Sequence, residues 1–135
     1  MKAFLSKYRI DLLVFGLALC ARLALFMVNF DASKGDLIGT IHGDDGYYEI
    51  SQSLIKGNGF TWDTEEPFRP QALRTPLYIY FISGILLATG SFWAVIIIQM
   101  LIGSCIPFLG RRISLRLNPS RSIAMFVGIL LAFEP

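Results

Sequence analysis

Two adjacent carboxylates, Asp44 and Asp45, followed by Gly46, Tyr47 and Tyr48, form the stretch of this sequence best suited to chemistry. An acid pair at the start of a helix is favoured by the helix dipole, and a positioned carboxylate can act as a general base. The simpler role is N-capping, in which Asp44 or Asp45 accepts a backbone N–H. The two roles are compatible, because a cap also fixes the side chain. A second stretch reads Arg69-Pro70-Gln71-Ala72-Leu73-Arg74-Thr75-Pro76-Leu77-Tyr78. Guanidinium forks grip phosphate in bidentate fashion. Arginine and tyrosine at that position also anchor a helix in the head-group layer. His42 is the single histidine and has no second His or Cys beside it in sequence, so it names no metal site by itself. Arg22 interrupts an apolar run, where a charge is costly and must face protein, water or a head group. Cys20 and Cys105 lie in apolar runs and read as buried small hydrophobes.

These residues need elements to position them. Lys2, Lys7 and Arg9 precede an apolar run from Leu12 to Phe30, broken only by Arg22. Its length of about 20 residues is what a helix needs to cross a bilayer. The residues after Phe30 make a poor cleavage site, so the run reads as a retained first helix with its basic end in the cytoplasm. The polar segment 31–75 holds Tyr47, Ile50, Leu54 and Ile55 at helical spacing, stopped by Gly57-Asn58-Gly59. It predicts a short amphipathic surface helix over 44–56 within an ordered loop. Further apolar runs follow at about 76–89 and 92–110, and another opens near Ser122. The fold expected is all-α: a polytopic transmembrane bundle of about four spans (about 10–30, 76–89, 92–110 and 121–135), with the extracytoplasmic loop 31–75 carrying the surface helix. The last run stops after about 14 residues at Phe133-Glu134-Pro135, which predicts a span continued in a longer protein.

Composition supports the membrane reading. Hydrophobic residues make up 54% and charged residues 16%, and the mean hydropathy is +0.57; a soluble domain is about a quarter charged. Eight of the ten acidic residues lie between Asp31 and Glu66, and eight of the twelve basic residues lie outside 31–75. That segregation suggests a chain facing two compartments rather than a nucleic-acid binder. One conflict follows. Counting a full crossing for 76–89 puts Arg111, Arg112, Arg116 and Arg121 outside, against the positive-inside rule. Either the 76–89 run re-enters without crossing, or these arginines meet anionic head groups on the outer side; the second is taken as the expectation.

The ordered set of features resembles the start of the GT-C membrane glycosyltransferases, which include the protein O-mannosyltransferases and the aminoarabinose transferases of lipid A. The set runs from the basic N-terminus and first span through Asp44-Asp45-Gly46-Tyr47-Tyr48 and Leu54-Ile55-Lys56-Gly57-Asn58-Gly59-Phe60 to Arg74-Thr75-Pro76-Leu77-Tyr78. The likeness covers about residues 10–135. Where the aminoarabinose transferases have Lys-Pro-Pro-Leu, this chain has Arg-Thr-Pro-Leu. The resemblance implies Asp44 as the catalytic aspartate with Asp45 its acidic neighbour, Tyr48 as the tyrosine of the same motif, and Arg74 at a contact to the lipid phosphate; Arg69, the other arginine of the stretch before the span, is expected to bind substrate by residue type alone. It implies a polyprenyl-phosphate-linked sugar donor, a glycan, lipid or protein acceptor, inversion at the anomeric carbon, no cofactor, and a multi-pass place in the cell membrane with the active loop extracytoplasmic. The complete enzymes of this group are several times longer, so the piece alone is expected to be inactive. The competing expectation is a non-catalytic membrane protein, a transporter fragment or small assembly subunit, in which Asp44 and Arg74 serve only as cap and anchor.

Overall fold

The computed structural model describes residues 2–37, 45–63 and 65–134 and is helical, with no strand among the described residues. Asp44 and His42 lie outside the described residues. The elements are α1 (Lys2–Ala32), α2 (Tyr47–Ile55), α3 (Pro76–Thr89), α4 (Phe92–Leu117) and α5 (Arg121–Ala132).

Each helix ends where local chemistry ends it. After α1 the Gly35 N–H donates to Phe30 O at 2.9 Å and the Lys34 N–H to Asp31 O at 3.0 Å. This pair of bonds is a Schellman closure, with Lys34 (φ 57°) in the left-handed position usually held by glycine. The same closure ends α2, where Asn58 donates to Ser53 O and Gly57 to Leu54 O, and Gly57 has φ 85°. The stop expected at Gly57 is therefore present. The N-cap position before α2 is held by Gly46 (φ 70°), which has no side chain to cap with, so Asp45 is not the N-cap residue. α3 opens with Pro76 in its first turn, where the missing N–H costs nothing, and closes on Gly90 at φ 66°. α5 is capped by Ser120, whose Oγ accepts from the Ile123 N–H.

Among the described residues two helical stretches, Tyr8–Ala32 and Phe92–Leu117, are long and apolar enough to cross a membrane. Only 17% and 22% of their apolar 18-residue segments is buried, whereas the core helix of a soluble protein is mostly covered. α3 and α5, at 14 and 12 residues, are shorter than the roughly 20 a span needs, so two of the four expected spans have spanning length. The run expected at 92–110 continues to Leu117 and carries Arg111, Arg112 and Arg116 within the helix. Cys20 and Cys105 are exposed on the helix surfaces rather than buried.

The chain divides into two compact units. The first comprises Met1–Val28 and Ile97–Pro135 and contains α5 with most of α1 and α4. Its helices close on small residues: a Cβ on Gly128 would lie 3.2 Å from Arg111 Cβ and 3.3 Å from Val14 Cγ1. Small residues let backbones approach in the way membrane helices pack. Asp11 near the start of α1 is 4% exposed and accepts from Arg111 and from Arg112, the latter with Nε at 2.9 Å. The Arg112 guanidinium also lies over the Tyr8 ring at 4.7 Å. Further along α1, Arg22 donates to the carbonyl oxygens of Ala18, Ala132 and Glu134. The last two lie at the C-terminal end of α5, where the dipole favours a cation. α1 and α4 are antiparallel in this unit, since residue 11 meets 111 and 112 while Arg22 meets Gly103.

The second unit, Asn29–Ile96, packs α2 on α3. Ile82, Leu86 and Val95 form its core, covered by Tyr47, Tyr48, Ile55, Tyr78, Phe81, Ile85 and Phe92. Ser83 on α3 donates to Ser51 O across the interface at 3.4 Å. The loop from Phe60 to Gln71 folds back on itself through a Gln71 N–H bond to Phe60 O at 2.8 Å.

Candidate functional site

The second unit gathers most of the polar chemistry at the start of α2 and the approach to α3. The Arg74 guanidinium carbon lies 5.5 Å from the Tyr47 ring centre and 5.7 Å from that of Trp62, within cation–π range of both. Arg74 Nη2 is 3.7 Å from Asp45 Oδ1, too long for a hydrogen bond but close enough for attraction. Asp45 is well exposed and Arg74 only 29% so. Arg74 Nε is buried and has no hydrogen-bond partner among the described residues. A buried N–H left without an acceptor is costly, and an incoming anion would satisfy it.

The aromatic frame is itself anchored. Tyr47 meets Tyr78 edge-on at 4.9 Å, and Tyr78 stacks on Phe81 in α3. Trp62 Nε1 donates to Gly46 O at 3.1 Å, pinning the loop to the first residue before α2. A Cβ on Gly46 would fall inside the indole ring, and its φ of 70° also disfavours any other residue. Gly46 is thus needed twice over for Trp62 to reach Arg74.

The expected site residues separate here. Asp45 and Arg74 come together. Tyr48 does not join them: its ring meets Phe92 edge-on at 5.3 Å. With Glu49, Lys56 and Asp63 it instead lines a polar cleft of about 180 Å³. Arg69 contributes its backbone N–H, which donates to Asp63 Oδ2 at 2.6 Å, while its exposed side chain has no hydrogen bond or ion pair among the described residues. Tyr47 and Trp62 were missed by sequence reasoning. Tyr47 sits beside Tyr48 with nothing in its type to separate the two, and Trp62 lies 12 residues from Arg74 in a loop without periodicity. No group of three or more His, Cys, Asp or Glu side chains suited to a metal ion occurs among the described residues.

No family model, curated protein or solved structure matches this chain.

Proposed function

We propose that this chain is the N-terminal part of a membrane glycosyltransferase of the GT-C kind, using a sugar carried on a polyprenyl phosphate. One observation carries the reading: Arg74 is framed by two aromatic rings beside Asp45, with a buried N–H that has no acceptor among the described residues. A guanidinium so held is preorganised for a phosphate and spends little entropy on binding it. The resemblance of the ordered motifs supports the same assignment.

In this reading Asp44 accepts the proton of the acceptor hydroxyl, whose oxygen attacks the anomeric carbon from the face opposite the phosphate. The bond from that carbon to the phosphate oxygen breaks, its electron pair leaves on the phosphate, and Arg74 stabilises the charge that develops there. Asp45 keeps Arg74 oriented between turnovers through the 3.7 Å ion pair. The lipid carrier requires the site to stand at the bilayer edge, where α3 presents apolar side chains such as Leu77 and Tyr80.

The membrane arrangement follows by parity. α1 and α4 are antiparallel and both have spanning length, so if both cross, α3 between them crosses not at all. Arg111, Arg112, Arg116 and Arg121 then share the cytoplasmic side with Lys2, Lys7 and Arg9, and the positive-inside rule is met. In this arrangement the alternative in which the 76–89 run does not cross is taken, in place of arginines that face outward. The loop that holds Asp45 and Arg74 lies on the extracytoplasmic side.

In the complete protein Asp44→Asn removes the base while leaving membrane insertion intact. Transfer of sugar from a polyprenyl-phosphate donor, read by acceptor labelling, falls by about a hundredfold or more. Full activity in that variant would remove Asp44 from the mechanism.

A further inference from the structure

Besides the extracytoplasmic loop, the first unit has a basic cleft of its own. The start of α1, the last turns of α4 and the first residue of α5 enclose about 700 Å³, lined by Asp11, Arg111, Arg112, Arg116 and Arg121 among aliphatic side chains such as Ile113. Four guanidinia face one carboxylate, an excess of three positive charges. Asp11 is already engaged by Arg111 and Arg112. Arg116 and Arg121 are exposed and have no ion pair among the described residues. Arg111 Nε is buried and has no hydrogen-bond acceptor among the described residues. The same wall exposes Ile10, Leu109 and Ile113. A soluble anion would satisfy the cations but leave this apolar rim wet; an anionic amphiphile matches both.

We infer that this cleft binds the phosphate head group of an anionic phospholipid, with its acyl chains along the aliphatic flank of α4. Arg116 and Arg121 supply the free charge, and the Asp11 network holds Arg111 and Arg112 in place beneath it. The inference rests on the membrane placement proposed above, which carbonate extraction of the membrane-inserted chain reads separately. It does not depend on glycosyl transfer.

The test uses the chain reconstituted in bilayers of equal parts phosphatidylglycerol and phosphatidylcholine, then released gently into the gas phase for native mass spectrometry. The wild-type chain retains phosphatidylglycerol in preference to phosphatidylcholine. The preference falls about fivefold for each guanidinium removed in Arg116→Gln and Arg121→Gln, and about twenty-fivefold in the double variant. Both positions are exposed and outside the Asp11 network, so the fold is spared. Equal retention of the two lipids, or an unchanged preference in the double variant, overturns the inference. So does displacement of the lipid by inorganic phosphate at comparable concentration, which would identify the ligand as a free anion.

Discussion

At the scale of single residues the structure assigns different work to arginines that look alike in sequence. Arg74 is held by two rings and a distant carboxylate, which leaves its hydrogen-bonding capacity open to a ligand. Arg22 donates to main-chain carbonyls at the end of α5, so a charge inside an apolar helix is met by protein acceptors there. Arg111 is tied to Asp11, and both are buried. Removing one partner of a buried pair leaves the other charge uncompensated, at a cost of about 3–5 kcal/mol. Asp11→Asn is therefore expected to lower the thermal midpoint of the detergent-solubilised chain by more than about 10 °C. A midpoint unchanged within error would mean that the Asp11 network contributes nothing to the fold. Asp44→Asn, by contrast, should cost activity without stability.

At the scale of elements, much was legible in the sequence. The apolar runs gave helices in the right order because length and hydropathy are local properties. Gly57 ended α2 as expected, since its left-handed conformation is one that glycine adopts without cost. The boundaries were less legible. α4 outruns its apolar stretch by seven residues, to Leu117, because Arg111 and Arg112 find Asp11 on α1, a pairing a hundred residues apart that no local pattern encodes. The start of α2 was misread for a related reason: the acid pair suggested a side-chain cap, while the actual constraint is the contact between Gly46 and Trp62. Of the candidate site, Asp45 and Arg74 were found from residue type and order, and Tyr47 and Trp62 emerged only from the folded loop. Tyr48 was favoured over its neighbour by the motif, and the helix turns it towards Phe92 instead.

At the scale of the whole molecule, the proposed membrane arrangement rests on the antiparallel run of α1 and α4. A non-crossing α3 puts Lys34 and Asn118 on opposite faces of the bilayer; a crossing α3 would put them on the same face. In a background with Cys20 and Cys105 replaced by serine, a membrane-impermeant maleimide applied to intact cells should label Lys34→Cys and spare Asn118→Cys. Labelling of both from outside would restore the crossing and return the arginines to the outer surface. The position of the loop matters because a polyprenyl phosphate presents its head group at the bilayer edge, where the proposal places Arg74.

The most direct test of the central claim is binding at Arg74. Trp62 lies beside it and reports on its surroundings, so a Trp93→Phe chain in detergent, titrated with farnesyl phosphate, gives a fluorescence reading of that site. The account predicts a saturable change with farnesyl phosphate, none with farnesol, and an affinity at least about tenfold weaker in Arg74→Gln, as expected for the loss of a charge-assisted pair. A response of equal size and affinity in Arg74→Gln, or an equal response to farnesol, would contradict it.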